Sequence, residues 1–308
     1  MTQLSAIRVS EGLRNCAAIA GMQGSELWLG PQLVGGRNNE VYEVCGSEQQ
    51  LCIKFFRDDR RDGFHREVTL LRVLAATMTS KVPVVLAADE DSTSVLMSKI
   101  PGIPVTDGNI SRKLAVGILA TLTQLYAVDP GSMHLPDVAW PPLRMLARTS
   151  SMIGEALGEQ ARADWESSSD RLRVPALLGA ENRRSCVGRG DPALDNILWD
   201  QEVAHLVDFE SGGRSDVVHE VAEFLEHPQH RLLDSRFKCE LVERLLRPED
   251  LLGLAASRWL LRSFWSVRTV GIDRQASLNG LIRVESLSEI GSLPVEPLME
   301  GSSRRPSS

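Results

Sequence analysis

Two neighbouring stretches decide how this chain is read: Arg189-Gly190-Asp191-Pro192-Ala193-Leu194-Asp195-Asn196-Ile197-Leu198-Trp199 and, after a short polar turn, Leu206-Val207-Asp208-Phe209-Glu210. Asn196 to Trp199 and Val203 to Val207 are short, mostly apolar runs on either side of Asp200-Gln201-Glu202, the pattern of a β-hairpin. Asp191 and Asn196 lie five residues apart across a loop that contains Pro192, and Asp208 follows the second strand. Hard oxygen donors arriving from a loop and from the end of a neighbouring strand suit Mg²⁺, which takes one or two carboxylates and completes its octahedron with phosphate oxygens and water. A further carboxylate on the same loop can orient a hydroxyl and accept its proton. On their own, Asp191 and Asn196 read more simply as turn residues or caps.

Working outward, residues 26–100 read as mostly strands with one helix. Leu27 to Leu33, Val41 to Val44 and Leu51 to Phe56 are short β-type runs punctuated by Gly35-Gly36 and Gly46-Ser47. Phe64, Val68, Leu71 and Ala75 share one stripe, which predicts an amphipathic helix over Phe64 to Ala76. Val82 to Ala87 and Ser94 to Ile100 read as two more strands, ended by Pro101-Gly102. Helical spacing dominates beyond Ser111, over Ser111 to Tyr126, Pro142 to Leu157, Asp216 to Glu226 (with Ser215 as its N-cap), Ser235 to Leu246 and Glu249 to Val270. The expected organisation is an N-terminal extension over 1–25, partly helical; a β-rich lobe over 26–100; a helical lobe over 101–285 that contains the hairpin; and a disordered Ser- and Pro-rich tail over 286–308.

In this setting, Asp-x-x-x-x-Asn from Asp191 to Asn196, coupled to Val207-Asp208-Phe209-Glu210, resembles the catalytic and metal loops of the protein-kinase-like small-molecule kinases, the aminoglycoside phosphotransferase and choline kinase group. The resemblance spans roughly residues 26–270. It implies an α+β, bilobal protein-kinase-like fold and transfer of the γ-phosphate of ATP to a hydroxyl of a small molecule. It makes Asp191 the catalytic base and Asn196 and Asp208 the Mg²⁺ ligands. The small lobe supplies matching parts in order. Gly35 and Gly36 lie in a turn resembling the group's nucleotide loop, Lys54 sits among apolar neighbours in a strand and wants an anionic partner, and Glu67 on the next helix is placed to pair with it. Leu96-Met97-Ser98-Lys99-Ile100 resembles the hinge, where backbone groups of Ser98 and Ile100 would bond adenine beside Met97. Where the group commonly has His-Gly-Asp, this chain has Arg189-Gly190-Asp191, and a planar guanidinium with five donors is able to brace neighbouring carbonyls instead. Taken separately, Lys54 reads as an edge-strand lysine and Gly35-Gly36 as an ordinary hairpin turn. The alternative function is a nucleotide-binding pseudokinase or regulatory module without transfer activity.

The remaining features bound the answer. With 308 residues and a net charge of -7, the chain is poorly suited to polyanionic partners such as nucleic acid or an anionic membrane surface. Five widely spaced cysteines without a CxxC pair fit a reduced, cytoplasmic protein, and no run approaches the ~20 apolar residues of a membrane span. Ten acidic residues against one basic residue, Arg214, lie between Asp191 and Glu226. That concentration favours a metal-dependent site and tilts the expected acceptor toward a cation, such as an aminoglycoside. Asp216, Glu220, Glu223 and His227 share one side of their helix, either as a solvated face or as part of a substrate cleft. Trp259 and Trp265 read as core residues of a long apolar helix or, less simply, as a wall of the acceptor pocket, His65 and His205 as structural or exposed, and Cys186 as a thiol open to thiol reagents but with nothing nearby in sequence to make it a reactive thiolate.

Overall fold

The chain is described from a computed structural model, which covers residues 6–22, 27–33, 39–106, 110–131, 134–180, 183–230, 233–269 and 274–292. It divides into two compact units, residues 1–139 with 187–214, and residues 140–186 with those from 215 onward.

The first unit is built on a five-stranded antiparallel sheet in the order β1-β2-β3-β5-β4, with β1 at Trp28–Gln32, β2 at Glu40–Cys45, β3 at Leu51–Phe55, β4 at Val85–Asp89 and β5 at Ser94–Ser98. Helix α1, Ala6–Ile19, covers one face: Val9, Leu13 and Cys16, at helical spacing, pack with Val44, Leu51, Ile53, Phe55, Ala87 and Leu96. Close approach is possible because Gly12 faces the sheet, where a Cβ would come within 2.7 Å of the Phe55 ring. The extension expected over 1–25 therefore supplies part of the core. Helix α2, Arg61–Thr77, starts three residues before the stripe predicted and buries Phe64, Val68, Leu71 and Leu74. Strand β4 begins after Pro83 instead of at Val82, because proline has no N–H to give a ladder.

The hairpin forms as read. β8, Ile197–Trp199, pairs with β9, Ala204–Leu206, and β6, Ile103–Pro104, adds a third strand that two residues of sequence could not announce. Helix α3, Arg112–Tyr126, capped by the Ser111 hydroxyl, lies on β9 and donates from Thr121 Oγ1 to the Ala204 carbonyl at 2.8 Å. His205, buried, bridges the Ser80 carbonyl and the Asp200 carboxylate. These links group the hairpin and α3 with the sheet, so the chain does not divide at Pro101 as the lobes over 26–100 and 101–285 anticipate. It passes between the units three times, after Ala139, inside β7, Ser185–Gly188, and inside β10, Gly213–Asp216.

The second unit is helical: α4 Pro142–Leu157, α5 Glu159–Arg171, α6 Val174–Leu178, α7 Val217–Glu226, α8 Ser235–Leu245, α9 Leu251–Arg268, α10 Arg274–Ile282 and α11 Leu287–Ser292. Buried α9 is its axis, with α4, α6, α7, α10 and α11 packed on it. Trp259 is core as expected, its ring stacked on Trp165 at 5.1 Å. Helix α7 begins one residue later than its reading: Asp216, not Ser215, is the N-cap, its carboxylate accepting from the His219 N–H at 2.8 Å. The tail expected over 286–308 also starts too early, since α11 buries Ile290 completely. Residues 293–308 lie outside the described residues.

Candidate active site

Lys54 occupies the middle of β3, flanked by Val41 on β2 and Val95 on β5, so its backbone is held on both sides. Its side chain is 6% exposed and its ammonium meets two carboxylates, Glu67 Oε2 from α2 at 2.5 Å and Asp208 Oδ1 from the segment after β9 at 2.7 Å. The pairing of Lys54 with Glu67 expected from sequence is present, and the link to Asp208 joins the sheet to the hairpin.

Burial opposes the charge on Lys54, but the carboxylates of Asp208, Glu67 and Glu210 outweigh it and hold the ammonium above the usual lysine range. Glu67 is 1% exposed, and burial pushes its carboxyl up to about 7 in spite of Lys54, with Asp208 and Glu210 adding to the rise. Glu67, Asp208 and Glu210 each present an oxygen within 4.8 Å of the others'. One ammonium against three carboxylates leaves an excess of negative charge in a mostly buried place, which a hard dication with oxygen preference relieves. This donor chemistry fits Mg²⁺.

Glu210 is the member that the sequence reading quotes without assigning. Its signal is its spacing of two from Asp208. Two neighbours fix it: Asn39, at the start of β2, donates from Nδ2 to Glu210 Oε2, and Gly63 leaves room for its Cβ, where a side chain would come within 3.3 Å.

The loop before β8 is held by backbone geometry. Gly190 has φ 64°, a left-handed conformation that favours glycine, and a Cβ there would lie 2.2 Å from the Ser211 carbonyl oxygen. Asp191, partly exposed, accepts from the Ala193 N–H at 3.1 Å through Oδ1, which leaves its other oxygen available to a hydroxyl. Arg189 is 1% exposed and donates from Nη2 to the Asn196 carbonyl at 3.3 Å. The same carbonyl accepts from the Val207 N–H at 3.0 Å, tying Asn196 to the residue before Asp208. Asp208 itself has φ 64°, a left-handed conformation that Asp adopts more readily than most side chains.

Met97 and Ser98 end β5. The Ser98 N–H is already bonded to the Val84 carbonyl at 2.9 Å, and the Ser98 carbonyl, which accepts from the Cys52 thiol at 3.9 Å, keeps a lone pair for a base beside the Ile100 backbone. Gly35 and Gly36 lie outside the described residues.

The acidic helix of the second unit is not the solvated face that its spacing allows: Glu220 and Glu223 are buried. Asp216 is held by Arg183 at 3.1 Å, and Glu226 by Arg258 and Arg262 at 2.6 and 2.9 Å. Cys186 is buried, which pushes its thiol well above the usual range, in keeping with an unreactive residue.

The family model for a phosphotransferase enzyme family, APH, matches residues 30–259. No curated protein matches the chain in sequence. Among solved structures, a choline/ethanolamine kinase family protein from Mesorhizobium loti superposes with TM-score 0.65 at 16% identity, covering 93% of this chain and 96% of that one. The streptomycin-ATP-APH(2")-IIa ternary complex gives 0.63 at 16% identity over 94% and 99%. Choline kinase LicA from Streptococcus pneumoniae gives 0.58 at 19% over 83% and 94%. At these identities the likeness is one of fold, the protein-kinase-like α+β fold that the hairpin motif implies.

Proposed function

This chain belongs to the phosphotransferase enzyme family, and we propose that it moves the γ-phosphate of ATP, with Mg²⁺, to a hydroxyl of a small molecule. The observation that carries this reading is the group formed by Lys54, Glu67 and Asp208, in which one buried cation is held between carboxylates of a helix and a hairpin.

In this reading Lys54, positioned by Glu67, clamps the α- and β-phosphates. Asp208 and Asn196 hold the metal, and Glu210, fixed by Asn39, supplies a further carboxylate to it. Bound Mg²⁺ neutralises charge on the phosphoryl oxygens, and the rest of the catalysis is positioning. Asp191 accepts the proton of the acceptor hydroxyl, and Arg189 keeps the loop in place behind it. The Ser98 carbonyl and Ile100 backbone, beside Met97, face the adenine base. Nothing observed favours the non-catalytic alternative.

The acceptor is a small hydroxylated molecule. The expected cationic character, as in an aminoglycoside, does not draw on Asp216 and Glu226, whose charges are already met by arginines. Five free cysteines suit a cytoplasmic setting.

The test is Asp191→Asn. Loss of a general base costs about 10²–10⁴ in rate, so transfer to any acceptor found in a panel of aminoglycosides and amino-alcohols should fall by at least ~100-fold while ATP affinity stays within a few-fold. Transfer at the wild-type rate would show that Asp191 is not the base.

A further inference from the structure

On α9, Arg258, Arg262 and Trp265 recur at spacings of four and three and so share one stripe of the helix. Arg258 and Arg262 are 4% and 7% exposed. Both turn their Nε–H toward Glu226, the last residue of α7, with Arg258 donating to Oε1 and Arg262 to Oε2. One carboxylate is thereby spread over two guanidiniums, and the Nη2 atoms are left over. Nη2 of Arg258, Nη2 of Arg262 and the indole Nε1 of Trp265 are all buried and meet no acceptor among the described residues. The ring of His227, which follows Glu226, stands edge-on to Trp265 at 5.2 Å, so the donors gather at the corner where α7 ends against α9.

Two features of this corner point the same way. Two guanidiniums against one carboxylate leave a net positive charge out of water, and an uncompensated buried charge is strongly unfavourable. Three buried N–H donors of one helix face also lack acceptors, although such groups are rarely left unpaired. A bound cation would worsen the charge, and an apolar group would leave the donors unpaired. An oxyanion cancels the excess and accepts from all three, with Trp265, the most exposed of the stripe, at its solvent edge.

We propose that the α7–α9 corner is a binding site for the carboxylate or phosphate group of a small molecule. The proposal uses no residue of the first unit and does not rest on the phosphotransfer reading.

The indole N–H signal of Trp265 reports on the site directly. In ¹H–¹⁵N spectra of the full chain it is identified by its loss in Trp265→Phe. Sodium acetate and inorganic phosphate are then titrated separately at constant ionic strength, with chloride as the reference. The Trp265 signal is expected to shift and saturate with acetate, with phosphate or with both, but not with chloride. A response to acetate alone assigns a carboxylate, and one to phosphate alone a phosphate group. Arg262→Met should weaken the affinity about tenfold or more, as expected for one charge-assisted hydrogen bond. A wild-type Trp265 signal that ignores both anions, even if signals of the first unit respond to phosphate, overturns the proposal. So does an equal response in a folded Arg262→Met protein.

Discussion

The two units handle buried charge in opposite ways. In the first, the single cation Lys54 lies among Glu67, Asp208 and Glu210; in the second, the single carboxylate of Glu226 lies between Arg258 and Arg262. Neither group is neutral, and the imbalances have opposite signs. The comparison separates two properties that a local count of charges runs together. Asp208, Glu210 and Glu226 all fall in one strongly acidic stretch of sequence, yet the first two belong to a place that suits a cation and the third to one that suits an anion.

The contrast can be broken from either side. Lys54→Met should have the largest effect, about 3–5 kcal/mol of stability, because removing one partner of a buried pair leaves the other uncompensated. Urea unfolding measures the loss, and Mg²⁺ should restore part of it. Glu226→Gln should cost about 3 kcal/mol for the same reason with the signs reversed. Here Mg²⁺ should restore nothing in the urea midpoint, whereas phosphate or acetate should restore part. Equal rescue of both variants by Mg²⁺ would remove the distinction.

The smallest effect sharpens the comparison by adding a neutral site. His219, on α7 and 1% exposed, is driven down to about 4 by burial, while Asp216 pulls it upward and Arg183 adds to the fall. The fold favours the uncharged ring, so this contribution is complete above about pH 6.5 and is lost as pH falls toward 4. A shift of that size is worth about 2 kcal/mol by pH 5. The Tm of the wild type should fall between pH 7 and 5 more steeply than that of His219→Gln, and parallel curves would refute the assignment.

Much of this was legible in the sequence, for reasons that can be stated residue by residue. The hairpin announced itself because two apolar runs flank three polar residues, and α2 and α9 because their apolar residues keep a helical period. Helix α5 did not, since its apolar anchors are few and Ser168 and Ser169 share its buried face. Helix α11 was hidden in a segment whose composition resembles a tail. Lys54, Glu67 and Asp208 could be named because strand, helix and hairpin order were all readable. Glu210 could be quoted but not assigned, because its role depends on Asn39, 171 residues away. The partners of Glu226 were concealed inside the apolar pattern of α9, where arginines at 258 and 262 interrupt the period without revealing which way they point.

The covering of the sheet by α1 carries a consequence for how the chain is made. Arg8 donates to the Phe56 and Ser92 carbonyls and to the Thr93 hydroxyl, and Asn15 to Asp89, partners 48 to 85 residues downstream. As the polypeptide leaves the ribosome, this helix emerges ahead of the sheet it covers and cannot complete its contacts until β5 has followed it out. The Lys54–Glu67 pair spans only 13 residues of sequence, whereas the link of Lys54 to Asp208 spans 154. The helix that covers the sheet therefore waits on β4 and β5, and the charged centre on the hairpin.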